Sequence, residues 1–427
     1  MERISMEKKM STPSDLYPRV HAHVQEMMEK IAAPAQGAIR HPYLTITTSN
    51  YYKGLLFCWD NYFSALRFAA DGVSCHLRNF LDNMHEYQRS DGFIPNAILA
   101  DGGPGYFEPD FLCQPFLAQA AAQLLEVSGD LEAAAKDFGW IRRFVDYWLK
   151  SRTAPFGLCR WDGPAYYSGI DNEILASILH PSSIIAPDVN AYLYAELRAL
   201  AFIAERINED SAAEELRQRA DELRESINRH LWSDEIGAFG AYNTSRGSVH
   251  ISFGSKNQRK GFGAFAYLSS SALPVLYTGA ATQEHGETMC RQYVIAPEHF
   301  RSPFGIRSLS RSSEYCNYAV LGNPGRFDEY SRQCNSNWQG PVWIPLGWMA
   351  FHGLLKYGMR DEAASLSLDI MKSICNCLDI MGSLPENVDG DSGKPLYASH
   401  YASWNLMGDL MERYIHSGLG HAPQIQF

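Results

Sequence analysis

The chain has few charges for its length and no excess of basic ones. Of 427 residues 20% are charged, and Lys+Arg 37 against Asp+Glu 48 leave a net charge of −11. An acidic chain without a basic run does not complement nucleic acid or an anionic membrane surface, so neither is expected as a partner. No run of about 18 apolar residues is present, which leaves no candidate for a membrane-spanning helix. Met1–Pro13 is charged and lacks an apolar core, so no signal peptide is read there. Nine cysteines occur without a CxxC pair, which removes support for zinc-ribbon and thioredoxin-type readings. Taken as reduced thiols, they point to a cytoplasmic protein.

Other signatures are missing too. There is no HExxH and no paired histidine spacing for catalytic zinc. There is no GxSxG elbow for a serine hydrolase. Asp101–Gly105 lacks the Lys-Ser/Thr of a phosphate-binding loop, and Asp389, Asp391 and Ser392 are too closely spaced for an EF-hand. No metal or cofactor is expected.

What is present is an ordered globular composition, with 46% of residues from the AVILMFWYC set. Helical periodicity dominates. From Asp188, the residues Leu193, Leu197, Leu200, Ala204 and Ile207 recur every three or four positions. Ser211 and Glu214 read as a capping box ahead of Leu216, Ala220, Leu223 and Ile227. Ala363, Leu366, Ile370, Ile374 and Cys377 repeat the pattern. The spacing predicts further helices near 14–31, 59–70, 75–89, 115–127, 133–151, 271–278, 283–293, 342–357 and 402–415. That makes about twelve helices, which suits an all-α single (α/α)6 barrel spanning 1–427. An open solenoid would give a similar pattern. Short strands are expected around Gly237–Tyr242.

Between the helices run long segments rich in Gly, Pro and aromatics: 36–58, 90–114, 155–187, 232–270, 296–341 and 379–401. Loops this long in a helical protein are usually functional. They carry Tyr52, Trp59, Trp338, Trp343 and Trp404 among carboxylates and amides such as Asp60, Asn61, Gln114, Asp171, Asn172, Gln339 and Glu386. Ring faces cover the C–H patches of a sugar while amides and carboxylates take its hydroxyls, so the set points to a carbohydrate cleft. Glycoside hydrolysis needs two carboxyl groups flanking the bond. Asp171 follows two tyrosines, whose burial of the carboxyl would raise its pKa as a general acid requires. Gly169 lets backbone approach closely. Glu386 sits at the mouth of a Gly-rich turn, where it could hold a water.

Several strings occur in one order: Phe57-Cys-Trp-Asp-Asn-Tyr-Phe63, Gly92-Phe-Ile-Pro-Asn96, Ser168-Gly-Ile-Asp-Asn172, Phe304-Gly-Ile-Arg-Ser-Leu-Ser310, Asn337-Trp-Gln-Gly-Pro-Val-Trp343, and Glu386-Asn ahead of Gly393 and Trp404. Together they resemble glycoside hydrolase family 63, from about residue 40 onward. Trehalases share a looser version. The resemblance implies inverting hydrolysis of an α-linked sugar, with Asp171 as general acid and Glu386 as general base. It also implies that Trp59 and Asp60 bind sugar at the −1 subsite, that Trp338 and Trp343 line the cleft, and that Gln114, Trp404 and the backbone at Gly169 lie beside them.

Two departures bear on substrate. Relatives often carry Tyr-Trp-Arg-Gly where this chain has Asn337-Trp338-Gln339-Gly340. The chain is also short and resembles the compact members that hydrolyse mannosylglycerate or glucosylglycerate. A glycerate carboxylate would want cationic or hydrogen-bonding partners, and Arg307, Lys256, Arg259 and Lys260 are the loop candidates. The alternatives are a trehalase-like or general α-glucosidase, a non-catalytic carbohydrate-binding protein, or a sugar epimerase using loop histidines such as His180 and His400. Glucose versus mannose, and homo-oligomer formation, stay open.

Overall fold

Where apolar residues recur at three and four positions, the chain forms helices. In the computed structural model, which describes residues 13–416 apart from 106–109, 251, 254–264, 267, 314, 317–326, 329–332 and 335, these are α1 (Pro13–Ile31), α2 (Cys58–Ala69), α3 (Cys75–His85), α4 (Leu117–Ser128), α5 (Leu131–Ser151), α6 (Ile174–Ile178), α7 (Pro187–Arg206), α8 (Asp210–His230), α9 (Leu273–Thr278), α10 (Gln283–Met289), α11 (Ile344–Lys356), α12 (Arg360–Met381) and α13 (Leu410–His416).

Two kinds of helix alternate. Every residue of α2 is buried, and α4, α7 and α11 are buried around most of their circumference. By contrast α8 buries one stripe, Ala213, Leu216, Ala220, Leu223 and Ile227. A helix apolar all round belongs inside and a striped one outside. The inner set closes on itself: α2 packs on α4, α4 on α7, α7 on α9, α9 on α11, α11 on the 3₁₀ turn Ser403–Asp409, and that turn on α2. Outside, α3, α5, α8 and α12 cover their inner neighbours, and α1 seals the last gap against α12 and the 403–409 turn. The fold is an (α/α)6 barrel. One apolar cluster runs from Val20 to Met411, with a small satellite of Ile174, Leu175, Ile184, Ala241 and Leu309.

The closing joint is ionic. The buried Arg67 of α2 donates from Nε and Nη2 to the two oxygens of Asp409, both at 2.9 Å. His21 of α1 meets Asp409 Oδ2 at 2.7 Å.

Several boundaries differ from the sequence expectation. No capping box forms at Ser211, because α8 already starts at Asp210 and its N-cap, Glu209, two residues before Ser211, makes no side-chain bond. The left-handed Asn208 (φ 61) turns the chain so tightly that Glu209 N–H bonds back to the Ala204 carbonyl at 2.8 Å. The 283–293 segment is α-helical only to Met289 and continues as a π turn, Cys290–Val294. The expected helix at 402–415 is 3₁₀ through Asp409, since Ser403 and Asn405 spend their side chains on the site and loop. Around Gly237–Tyr242 the strands are Ala238–Phe239 and Tyr242–Asn243.

Short ladders stitch the loops together. Leu55–Phe57 pairs antiparallel with Ala97–Leu99. Val342 bridges both Arg307 and Val388, so segments from 296–341 and 379–401 meet at one place.

Candidate active site

The start of α2 supplies the first group. The Cys58 N–H bonds the Asn96 carbonyl at 2.9 Å, which sets where the helix begins. Asp60 is buried in the first turn and accepts from Tyr401 Oη at 3.1 Å and Ser403 Oγ at 2.7 Å. Burial pushes its carboxyl up to about 6, against the pull of those two hydroxyls. The Asn61 amide is turned to backbone instead. It accepts from Leu44 N–H at 3.2 Å and donates to the Phe57 carbonyl at 3.3 Å. Tyr52, in a left-handed conformation (φ 60), stands edge-on to Tyr401 at 6.4 Å between ring centres.

The loop before α6 supplies the second group. Gly169 has φ +82, and a Cβ there would lie 2.6 Å from Trp59 Cζ2 and 2.9 Å from Gln114 Nε2. Only glycine lets the backbone lie this close to both side chains. Two residues on is Asp171. Burial pushes its carboxyl up to about 7; a hydrogen bond from Ser336 opposes the rise and the charge of Asp60 adds to it. Its neighbour Asn172 is fully buried and anchors the loop. Asn172 Oδ1 accepts the Trp338 N–H at 2.7 Å, its Nδ2 donates to Asn337 Oδ1 at 2.9 Å, and its carbonyl accepts from Gln339 Nε2 at 2.9 Å.

The aromatic wall follows. Trp338 and Trp343 stack with ring centres 3.8 Å apart and planes 8° apart. Trp59 lies 5.8 Å from Trp338 and 5.4 Å from Trp404, and Trp404 lies 5.8 Å from Trp343. The Trp343 indole donates to the Asn337 carbonyl at 3.0 Å. Among the described residues, Trp404 Nε1 and Gln114 Oε1 have no hydrogen-bond partner.

Glu386 is buried on the adjoining loop. Its N–H bonds the Ala398 carbonyl at 3.0 Å, and the Tyr401 N–H bonds the Leu384 carbonyl at 3.0 Å, so the hairpin carrying Glu386 also holds Tyr401. The negative charges of Asp60 and Glu386 both act on the Tyr401 hydroxyl, whose pKa is raised chiefly by burial. Asp60, Asp171 and Glu386 thus gather around one aromatic box.

The structure brings together Tyr52, Trp59, Asp60, Gln114, Gly169, Asp171, Trp338, Gln339, Trp343, Glu386 and Trp404. Asn61 stands beside them with its amide facing backbone. Tyr401, one of the loop aromatics, joins the site through Asp60, and Ser403 joins it without having stood out in the sequence, where a single hydroxyl residue carries no spacing signal. Among the cationic candidates, Arg307 is buried and its Nη2 donates to the Gly390 carbonyl and to Asp391 Oδ1, both at 2.8 Å. That charge braces the turn after Glu386. Lys256, Arg259 and Lys260 lie outside the described residues.

Comparison with known proteins places the chain in a family and shows the fold in solved structures. The family model described as the mannosylglycerate hydrolase MGH1-like glycoside hydrolase domain matches residues 52–404. A periplasmic trehalase of Escherichia coli O1:K1 is 23% identical over 230 residues, 54% of this chain and 34% of that protein. The chain therefore spans about a third of that relative's length. Among solved structures, a GH63 mannosylglycerate hydrolase from Thermus thermophilus in complex with glucose superposes with a TM-score of 0.69 at 17% identity, covering 92% of this chain and 100% of that one. Neutral trehalase from Saccharomyces cerevisiae superposes with a TM-score of 0.65 at 16% identity, covering 90% and 75%.

Proposed function

The chain belongs to the mannosylglycerate hydrolase MGH1-like glycoside hydrolase family, and from that premise we propose that it is an inverting α-glycoside hydrolase of a small α-glucoside or α-mannoside, glucosylglycerate or mannosylglycerate in the first instance. The observation that carries this is the pairing of the half-buried Asp171, whose carboxyl is pushed up to about 7, with the buried Glu386 around one tryptophan box. A group with that pKa holds its proton near neutral pH, as a general acid must.

In this reading Asp171 gives its proton to the glycosidic oxygen as the C–O bond breaks. Glu386 takes a proton from a water that attacks the anomeric carbon from the opposite face. Asp60, held by Tyr401 and Ser403, takes sugar hydroxyls at the −1 subsite. Trp404 Nε1 and Gln114 Oε1 offer one donor and one acceptor to the same sugar. The stacked Trp338 and Trp343 cover its apolar face, Tyr52 closes the rim, and Gln339 ties the acid's loop to that wall. Asn61 acts through the backbone it holds. No metal or cofactor enters the reaction as drawn. We take 1–427 as one catalytic barrel. Cys58, Cys75, Cys113, Cys159, Cys290, Cys316, Cys375 and Cys377 are free thiols, which supports a reducing, cytoplasmic setting.

The trehalase relatives make trehalose the second substrate to test. An epimerase would need a histidine proton carrier in the cleft, whereas His180 is exposed and turned onto Ser182 at 2.7 Å. Turnover of purified protein on α-glucosylglycerate, α-mannosylglycerate and trehalose tests the reading. Asp171→Asn and Glu386→Gln should each remove nearly all of it while the proteins stay folded. Retained activity in either variant would sink the assignment of that carboxyl.

A further inference from the structure

Ser403 stands where a serine is conformationally costly. Its φ is +29, on the left-handed side that glycine enters without a steric penalty. Its neighbours lead the chain into that position. The Tyr401 N–H is held by the Leu384 carbonyl at 3.0 Å, and the Tyr401 carbonyl accepts from Asn405 Nδ2 at 3.0 Å. The Ala402 N–H is held by the Ile46 carbonyl at 2.9 Å. With residues 401 and 402 pinned to two different segments, the turn is made at 403. Glycine would make it more easily, so the presence of a side chain here calls for a reason.

The reason lies on the carboxyl of Asp60. Ser403 is fully buried, and its Oγ donates to Asp60 Oδ1 at 2.7 Å. Tyr401 Oη donates to the same oxygen at 3.1 Å. Hydroxyl-to-oxygen bonds run from about 2.5 to 3.0 Å, so the serine makes the tighter bond and the tyrosine the looser one. Each oxygen of a carboxylate has room for two such donors. Both bonds fall on Oδ1 and neither on Oδ2. The backbone of Asp60 is fixed in the first turn of α2, so the freedom left to the carboxyl is rotation of its side chain.

We propose that Ser403 is the positioning residue of Asp60: its hydroxyl holds Oδ1 and so turns Oδ2 towards the sugar in the −1 subsite. This rests on Asp60 being the carboxylate that takes sugar hydroxyls. One oxygen of Asp60, rather than two, then meets the sugar. The bond also favours the ionised carboxyl, because a donor is worth more to an anion than to a neutral acid. Burial pushes Asp60 up to about 6, and among the effects opposing that rise the bond from Ser403 is the largest. The serine thus keeps Asp60 an acceptor as well as aiming it.

Ser403→Gly and Ser403→Ala test this together. Glycine removes the hydroxyl and relaxes the backbone. A serine with only a structural part would therefore leave the glycine variant with wild-type kinetics. The substrate is whichever of α-glucosylglycerate, α-mannosylglycerate and trehalose the wild type hydrolyses. KM is expected to rise on the order of tenfold in both variants, the size of one hydrogen bond to a charged group. The kcat should stay within about twofold, because Asp60 holds the sugar in ground and transition states alike. A ¹³C NMR titration of the Asp60 carboxyl needs no turnover. Its midpoint should rise in both variants, since a donor to the charged form is gone. Tyr401→Phe, which removes the looser bond, should raise it less. An unchanged midpoint, an unchanged KM or a glycine variant that fails to fold overturns the proposal. Asp60→Asn run beside them separates the two claims. If it keeps wild-type kinetics, the sugar-binding role of Asp60 falls. If it is impaired while Ser403→Gly behaves as wild type, only the role of Ser403 falls.

Discussion

Asn172 accepts the backbone N–H of Trp338 at 2.7 Å, across 166 residues of chain. The residue beside the acid candidate therefore ties its own loop to the aromatic wall. Truncating Asn172 to Ala leaves that buried N–H without its partner, while Asn337 Oδ1 keeps the bond from Gln339 N–H at 3.0 Å. Each orphaned buried group costs about 1–3 kcal/mol. The expected outcome is a lower melting temperature and a fall in kcat/KM of at least tenfold, checked by calorimetry and steady-state kinetics. Wild-type kinetics in a protein of unchanged stability would mean that the loops are held some other way.

Gly169→Ala places a methyl group 2.6 Å from Trp59 Cζ2, in a residue at φ +82. Either the loop or the indole must give way, and both carry the site. A misplacement of about 1 Å can cost on the order of 10²-fold in rate. Activity should drop by that order while far-ultraviolet circular dichroism stays native. A fully active variant would show that the contact of Gly169 with Trp59 is dispensable.

The activity should fall as pH rises through about 7, because that is where Asp171 loses its proton. The sign follows from its role: the protonated form is the active one, so the limb lies on the alkaline side. A pH profile of kcat that stays flat up to pH 9 would contradict the assignment.

Glu196 gives a pH effect on stability rather than rate. It lies on α7 but accepts the Ala118 N–H at 2.9 Å and the Gln119 N–H at 3.0 Å, at the start of α4. Burial pushes its carboxyl up to about 7, above the unfolded value near 4.3. A carboxyl whose folded pKa is raised stabilises the fold fully below the unfolded pKa, and that contribution is lost as pH rises through the folded one. Asp188, also pushed to about 7 by burial, acts in the same direction. Urea midpoints should therefore decline between about pH 5 and pH 8, and Glu196→Gln should flatten the decline. An unchanged slope in that variant would show that Glu196 does not titrate there.

The sequence made some of this legible and not the rest. Periodicity alone located α7, α8 and α12, because their stripes are long and repeat without interruption. It could not close the ring. Closure depends on Arg67 meeting Asp409, residues 342 positions apart with no local pattern between them. The 403–409 turn was legible as helical but not as 3₁₀, since that follows from Ser403 reaching Asp60. Asp171 and Glu386 were candidates on residue type and setting, and the resemblance gave them roles. Arg307 looked like an available cation; its Nη2 is bound to Gly390 and Asp391, while its buried Nε and Nη1 have no hydrogen-bond partner among the described residues.

Proton NMR of fresh enzyme mixed with α-glucosylglycerate and α-mannosylglycerate tests the central claim most directly. Early appearance of the β-anomer from one of the two is the expected result. It would establish hydrolysis, inversion and the −1 sugar in one experiment. Early appearance of the α-anomer would contradict the inverting roles of Asp171 and Glu386.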